Sequence, residues 1–190
     1  MAGKLIVISG PSGVGKSTVI RELAGKLGAK ISISATTRQP SSQEKDEVDY
    51  YFVSRQRFQE LIHDDQLLEH AEYLGNYYGT PRGPIDEALA KGRDVILGIE
   101  VQGAKRVAKL FPDAIMVFLH PPSEDELVRR IRSRARDDES TIQRRLANAR
   151  AEIAQADEAG IYRYRVVNDQ LSRTVEELER ICKQEKGVHD

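Results

Sequence analysis

Residues 10–18 read Gly-Pro-Ser-Gly-Val-Gly-Lys-Ser-Thr, which sets Gly10, Gly15, Lys16 and Ser17 in the register G-x-x-x-x-G-K-[ST], directly after the apolar run Leu5-Ile6-Val7-Ile8. A buried strand, a glycine-rich turn and a helix start in that order leave the chain few folds to choose from. Glycines let successive backbone N–H groups turn inward around an anion, and the helix N-terminus behind them adds a partial positive charge. A lysine at position 16 reaches the β- and γ-phosphates of a nucleoside triphosphate, and the Ser17 hydroxyl can ligate Mg²⁺. A chance glycine-rich turn would lack the helical stretch Val19-Ile20-Arg21-Glu22-Leu23 that follows here. Gly10, Pro11, Ser12, Gly13, Val14, Gly15, Lys16, Ser17 and Thr18 are therefore the candidate nucleotide-binding residues, and Ser17 is the candidate metal ligand.

Apolar runs bounded by turn residues recur at 94–99, 114–119 and, more briefly, 165–167, which predicts buried parallel strands. Helical periods lie between them, at 16–27, 85–91, 101–110, 124–134, 141–158 and 174–186. Alternating strand and helix predicts an α/β fold, a parallel sheet covered on both faces. Ser123-x-x-Glu126 reads as a capping box at the head of one helix. A length of 190 residues suits one such unit with small inserted lobes better than two domains. Two stretches break the rhythm. Residues 31–80 hold short β-like pieces (31–34, 50–53, 67–73), a helical pattern at 55–63 and the turn Gly75-Asn76, and read as an inserted lobe. From about 127 to 158, arginines crowd two helices joined by Asp137-Asp138-Glu139, as in an arginine-bearing lid.

The 29 Lys and Arg against 30 Asp and Glu leave a net charge of −1, so no overall field recruits nucleic acid or an anionic membrane. One cysteine, Cys182, forbids a disulfide framework and reads as a buried thiol. With neither a signal-peptide h-region nor an apolar stretch near the roughly 20 residues that span a bilayer, the expectation is a soluble protein of the reducing cytoplasm.

Thr36-Thr37-Arg38-Gln39-Pro40, Val48-Asp49-Tyr50-Tyr51-Phe52-Val53, Leu68-Glu69-His70-Ala71-Glu72, Gly75-Asn76-Tyr77-Tyr78-Gly79-Thr80 and Val101-Gln102-Gly103-Ala104 stand in the order found in guanylate kinases. The resemblance continues through Ile142-Gln143-Arg144-Arg145-Leu146 and Val166-Val167-Asn168-Asp169 and so covers essentially the whole chain. It implies a phosphate-loop core (1–32, 81–125, 160–190), a GMP-binding lobe (33–80) and a lid (126–159), with ATP and GMP converted to ADP and GDP with Mg²⁺ by a monomer or homodimer. Carried over by register, Ser34, Glu69 and Thr80 contact guanine, and Arg38, Tyr50 and Tyr78 hold the GMP phosphate. Lys16, Arg38, Arg130, Arg134 and Arg145 stabilise the transferring phosphoryl group, and Asn168 lies near the adenine.

The chemistry of these residue types agrees. An ionised carboxylate only accepts, so Glu69 suits the N1–H and 2-amino hydrogens that guanine offers and adenine lacks. The Arg38 fork matches phosphate. Period-two alternation lets only one of Tyr50 and Tyr51, and one of Tyr77 and Tyr78, face the same side, so one of each pair is packing. Glu72 remains the rival of Glu69, and a loop-capping amide remains the rival role of Asn168.

Three departures stand out. Ser41 occupies the place of a second phosphate-binding arginine, a loss worth about ten- to a hundredfold in GMP affinity unless a cation such as Lys45 folds back. Gly98 and Glu100 stand where two aspartates usually end the strand, leaving Glu100 as the acid there to meet guanine or, through water, Mg²⁺. Ala135-Arg136 replaces a more usual Gly-Thr. A phosphopeptide-reading scaffold module and a ribose-phosphate kinase are the competing readings. The intact phosphate loop argues against the first, and Ser34, Glu69 and Thr80 argue against the second.

Overall fold

The computed structural model describes residues 2–42, 44–73, 75–132 and 139–187. At its centre lies β1 (Leu5–Ser9), buried at all five positions. It pairs in parallel with β7 (Val95–Gly98) on one side and β8 (Ile115–His120) on the other. The outer strands β2 (Lys30–Ile31) and β9 (Tyr164–Val167) complete a five-stranded parallel sheet in the order β2-β7-β1-β8-β9. Alternation along β1 feeds two cores. Ile6 and Ile8 join Val19, Leu23, Leu178 and Ile181, from α1 (Lys16–Leu27) and α7 (Leu171–Gly187). Leu5 and Val7 join Ile85, Val101 and Val107, from α3 (Gly83–Ala90) and α4 (Val101–Leu110), on the other face. Both faces of the sheet are thus covered, as the unbroken apolar runs require.

One expectation needs correction. The piece at 31–34 does not belong to the inserted lobe as a unit: Lys30 N–H donates to the Asp94 carbonyl at 2.8 Å and Ser32 N–H to the Ile96 carbonyl at 2.9 Å. The chain therefore stays on the edge of the core sheet through Ser32, and a two-residue strand there carries too little pattern to be read from sequence. Three helices also start earlier than their periodicity suggested, the one expected at 141–158 beginning at Glu139. Pro84 lies in the first turn of α3, where its missing N–H costs nothing. The last helix begins at Leu171 rather than at Thr174.

The lobe is a four-stranded sheet in the order β4-β3-β6-β5, formed by β3 (Ala35–Thr36), β4 (Tyr51–Phe52), β5 (Leu67–Tyr73) and β6 (Asn76–Pro81). Helix α2 (Arg55–His63) covers it, and Ser54 caps the helix by accepting from Arg57 N–H at 3.0 Å. Phe58, Ala35 and Leu67 form its core, with Tyr51 and Tyr77 packed around them.

Helices α5 (Glu124–Arg132) and α6 (Glu139–Ala159) share a third core of Leu127, Ile131, Ile142, Leu146 and Ala149. Ser123 Oγ accepts from Glu126 N–H at 3.1 Å, while the Glu126 carboxylate binds Arg129 and Arg130. Arg134 and the link 133–138 lie outside the described residues. Cys182 lies on the buried face of α7, and burial, with Asp94 nearby, pushes its thiol up to about 12, so the group is inert.

Ile131 is 1% exposed in this third core. Ile131→Ala should cost about 2–5 kcal/mol and Ile131→Val about 0.5–1.5 kcal/mol, read from urea denaturation. Equal midpoints for the two variants would mean that the two helices do not pack as described.

Candidate active site

The turn after β1 closes through Val14 N–H to the Pro11 carbonyl at 3.1 Å. Gly13 and Gly15 have φ of 87° and 96°, a region glycine enters without steric cost. Gly15 caps α1, so Lys16, Ser17 and Thr18 open its first turn. Gly10 lies against the Leu119 carbonyl. Val14 is buried, and its carbonyl accepts from Asn168 Nδ2 at 2.7 Å. In this structure Asn168 thus does what its rival reading held: its side-chain amide ties the loop to the end of β9.

Lys16 is largely buried. Its Nζ lies 3.1 Å from Glu100 Oε1 and 3.4 Å from the Gly10 carbonyl. Burial alone lowers a lysine pKa, but the Glu100 charge and hydrogen bond outweigh it and hold the ammonium form. A second carboxylate, Glu152 from α6, accepts from Ser12 N–H at 3.0 Å. Burial and the neighbouring Glu100 charge both raise the Glu152 pKa. Sequence reading missed Glu152; the signal was its spacing of seven from Arg145, two helical turns along one face. Arg145 reaches the same residue, its Nε and Nη2 lying 3.4 and 3.3 Å from Ser12 Oγ.

Ser34, Tyr50, Glu69, Ala71, Tyr78, Gly98, Ile99 and Glu100 line a cavity of about 180 Å³ between the lobe and the sheet end. Glu69 is 5% exposed. It accepts from Thr80 Oγ1 at 2.6 Å, and Thr80 Oγ1 lies 3.5 Å from Ser34 Oγ. Burial lifts the Glu69 carboxyl to about 7, against the pull of the Thr80 hydroxyl and of Arg106. A Cβ on Gly103 of α4 would sit 2.3 Å from Glu69 Oε2, so the helix can pass this carboxylate only with glycine there. Glu72 is exposed on the same strand. Tyr50 and Tyr78 face the cavity edge to face at 6.1 Å, while Tyr51 and Tyr77 pack into the lobe core, as alternation required.

Arg38 lies at the mouth of this cavity, its guanidinium 5.5 Å from the Tyr50 ring centre and 5.8 Å from that of Phe52. Its partner is Glu44, held at 2.7 and 3.0 Å in a two-pronged pair. Glu44 also accepts from Ser41 N–H at 2.8 Å. The guanidinium holds the Glu44 carboxyl down at about 2. The loop does fold back, but with its acid rather than with Lys45, whose backbone N–H binds Asp49 and whose side chain is exposed. A Cβ at Gly98 would come 2.5 Å from Ile20 Cδ1, the end of a side chain that can turn aside.

Arg130 bonds Glu126 at 2.7 Å, the Asn168 carbonyl at 2.9 Å and the Val14 carbonyl at 3.3 Å. It thereby ties α5 to the phosphate loop. Of the three lid arginines proposed from sequence, Arg130 and Arg145 both reach this loop, and Arg134 lies outside the described residues. Ser17 and Thr18 are exposed beside it. The oxygen donors here, the Ser17 hydroxyl and the Glu100 carboxylate, are hard ligands of the kind Mg²⁺ prefers.

One cleft therefore joins a phosphate-binding turn to a buried carboxylate with hydroxyl neighbours, and the comparisons with known proteins agree with that pairing. A family model described as guanylate kinase matches residues 2–185. The chain is 49% identical over 185 residues to the guanylate kinase of Desulfitobacterium hafniense, covering 97% of this chain and 91% of that one. It is 50% identical over 183 residues to the guanylate kinase of Gloeobacter violaceus, covering 96% and 88%. A crystal structure of guanylate kinase from Anaplasma phagocytophilum resembles it with a TM-score of 0.80 at 33% identity, covering 97% of this chain and 86% of that one. Motifs, fold and relatives converge, and the chain belongs to the guanylate kinase family.

Proposed function

We propose that the cavity between lobe and core takes GMP, that the phosphate loop takes ATP, and that the γ-phosphoryl group passes directly between them. The chain is an ATP:GMP phosphotransferase by family; the division of labour among its residues is our reading. The observation that carries it is Glu100, which lines the cavity and also pairs with Lys16 at 3.1 Å. The proposed acceptor pocket thus opens onto the lysine of the donor loop.

Phosphoryl transfer asks little covalent chemistry of a protein; it asks for positioning and charge stabilisation. Lys16 steadies the β- and γ-phosphates of ATP, with Gly10, Pro11, Ser12, Gly13, Val14, Gly15, Ser17 and Thr18 around them. Asn168 supports that loop. Glu69, Ser34 and Thr80 read guanine, and Arg38, Tyr50 and Tyr78 hold the GMP phosphate in line for attack. Arg130 and Arg145, which lie against the phosphate loop, together with Arg134 stabilise the charge on the transferring group. Ser17 would hold Mg²⁺, with Glu100 contacting it through water, and the ion would supply neutralisation of phosphate charge. One chain carries both pockets, so a monomer or homodimer suffices. No described helix is long and apolar enough to cross a membrane, and we assign the reaction to the cytoplasm.

Guanine recognition gives a pH signature. Only the ionised carboxylate accepts from both guanine donors, and the Glu69 pKa sits at about 7 in the free protein. Its ionised fraction falls from about 0.9 to about 0.1 between pH 8 and pH 6, so KM for GMP should rise about tenfold on acidification while KM for ATP stays level. A coupled assay of ADP release checks this. Glu69→Gln should show a high KM for GMP without that slope, and a variant with parental KM and slope would contradict the guanine assignment.

Glu44 occupies the guanidinium that GMP phosphate needs. Glu44→Gln removes the charge, and at partly exposed groups the loss is worth about 1 kcal/mol. KM for GMP should therefore fall about three- to tenfold with kcat and the ATP constants unchanged. A higher KM would mean that Glu44 positions Arg38 instead of competing for it.

A further inference from the structure

On the reverse side of β5 from the guanine pocket, a second cleft of about 580 Å³ runs between lobe and core. The strand alternates: Glu69 and Ala71 line the first cavity, Leu68 and His70 the second. Arg106 and Lys109, three apart on one face of α4, line it together with Arg82 at the foot of α3. Among the described residues the only carboxylate lining it is Asp65, and none of the three cations forms an ion pair. Arg82 Nε is buried with no hydrogen-bond partner, which is uncommon for a strong donor. Two large apolar side chains that the fold leaves out of its cores, Ile62 at 38% and Leu110 at 50% exposure, flank the same cleft.

Three unpaired cations ask for a multiply charged anion, and guanidinium forks ask for phosphate in particular. The apolar shelf asks for a flat ring beside it. The volume lies within the range of small-molecule sites, about 300–1,000 Å³. We propose that this cleft is a second site for a nucleoside diphosphate, its phosphates on Arg82, Arg106 and Lys109 and its base against Ile62 and Leu110, and that occupancy weakens GMP binding. The coupling follows from position. Arg106 favours the ionised form of Glu69, and a bound phosphate cancels part of that field. This second half rests on the GMP assignment, whereas binding itself does not.

The probes are UDP and inorganic pyrophosphate, titrated by calorimetry into protein whose phosphate loop is saturated with a non-hydrolysable ATP analogue. UDP should bind once. The Arg106→Ala/Lys109→Ala double variant and the Lys109→Glu single variant, changed only at exposed positions, should weaken it by about tenfold or more, and Arg38→Ala should leave it unchanged. Pyrophosphate should bind severalfold more weakly than UDP, a gap that closes in Leu110→Ser. No binding, or binding lost in Arg38→Ala and kept in the double variant, would overturn the site; equal affinity of the two probes would overturn the place given to the base. Saturating UDP should weaken GMP binding severalfold in the parent and not in the double variant. An unchanged GMP affinity with UDP bound would overturn the coupling.

Discussion

Two cations of the substrate cleft, Lys16 and Arg38, are already paired with carboxylates of the protein itself. Lys16 holds Glu100 at 3.1 Å, Arg38 holds Glu44 at 2.7 Å, and the Ser12 amide holds Glu152 at 3.0 Å. An uncompensated buried ammonium would be costly in the substrate-free protein, and the carboxylates make that state possible. They also set the terms for substrates, since a phosphate must exchange with an acid rather than enter an empty socket. Ionic attraction is then gained in one place as it is lost in another, so selectivity falls to groups that exchange nothing, above all the buried Glu69 with its hydroxyl neighbours.

This economy depends on the three bodies meeting at the carboxyl ends of the parallel strands. Separate small cores in the lobe and around α5 and α6 let each move as a unit against the central sheet. Leu68 of the lobe and Ala156 of α6 anchor the two bodies in the central core, and the remaining contacts named at the loop are polar: Arg130 on the Val14 and Asn168 carbonyls, Arg145 on Ser12, Glu152 on the Ser12 amide. Hydrogen bonds of this kind exchange with water at modest cost, which suits a lid that must open for each turnover.

Much of this was legible in the sequence where the information is local. The phosphate loop is one contiguous motif, and the strand β1 announces itself by five apolar or small residues in a row. Alternation split the two tyrosine pairs, and family register said which member of each faces the site. Glu69 could be separated from Glu72 only by family register, because burial depends on where α4 passes and hence on Gly103, over thirty residues away. Glu44 and Glu152 were missed for a related reason. Each finds its partner through folding of a polar loop or a long helix, and nothing in the local pattern of an acid says which cation it will meet. The second strand was read but given to the lobe, because two residues carry too little pattern to say which sheet they join, and Ser41 led to a lysine when the loop in fact returns an acid.

The exchange of carboxylate for phosphate is the claim on which the rest turns, and a crystal structure with GMP and ADP bound tests it most directly. The account predicts that Glu44 has left Arg38, the guanidinium now binding the GMP phosphate, and that Lys16 Nζ has moved from Glu100 to the nucleotide phosphates. A complex in which Arg38 remains paired with Glu44 while other groups hold the GMP phosphate would contradict it.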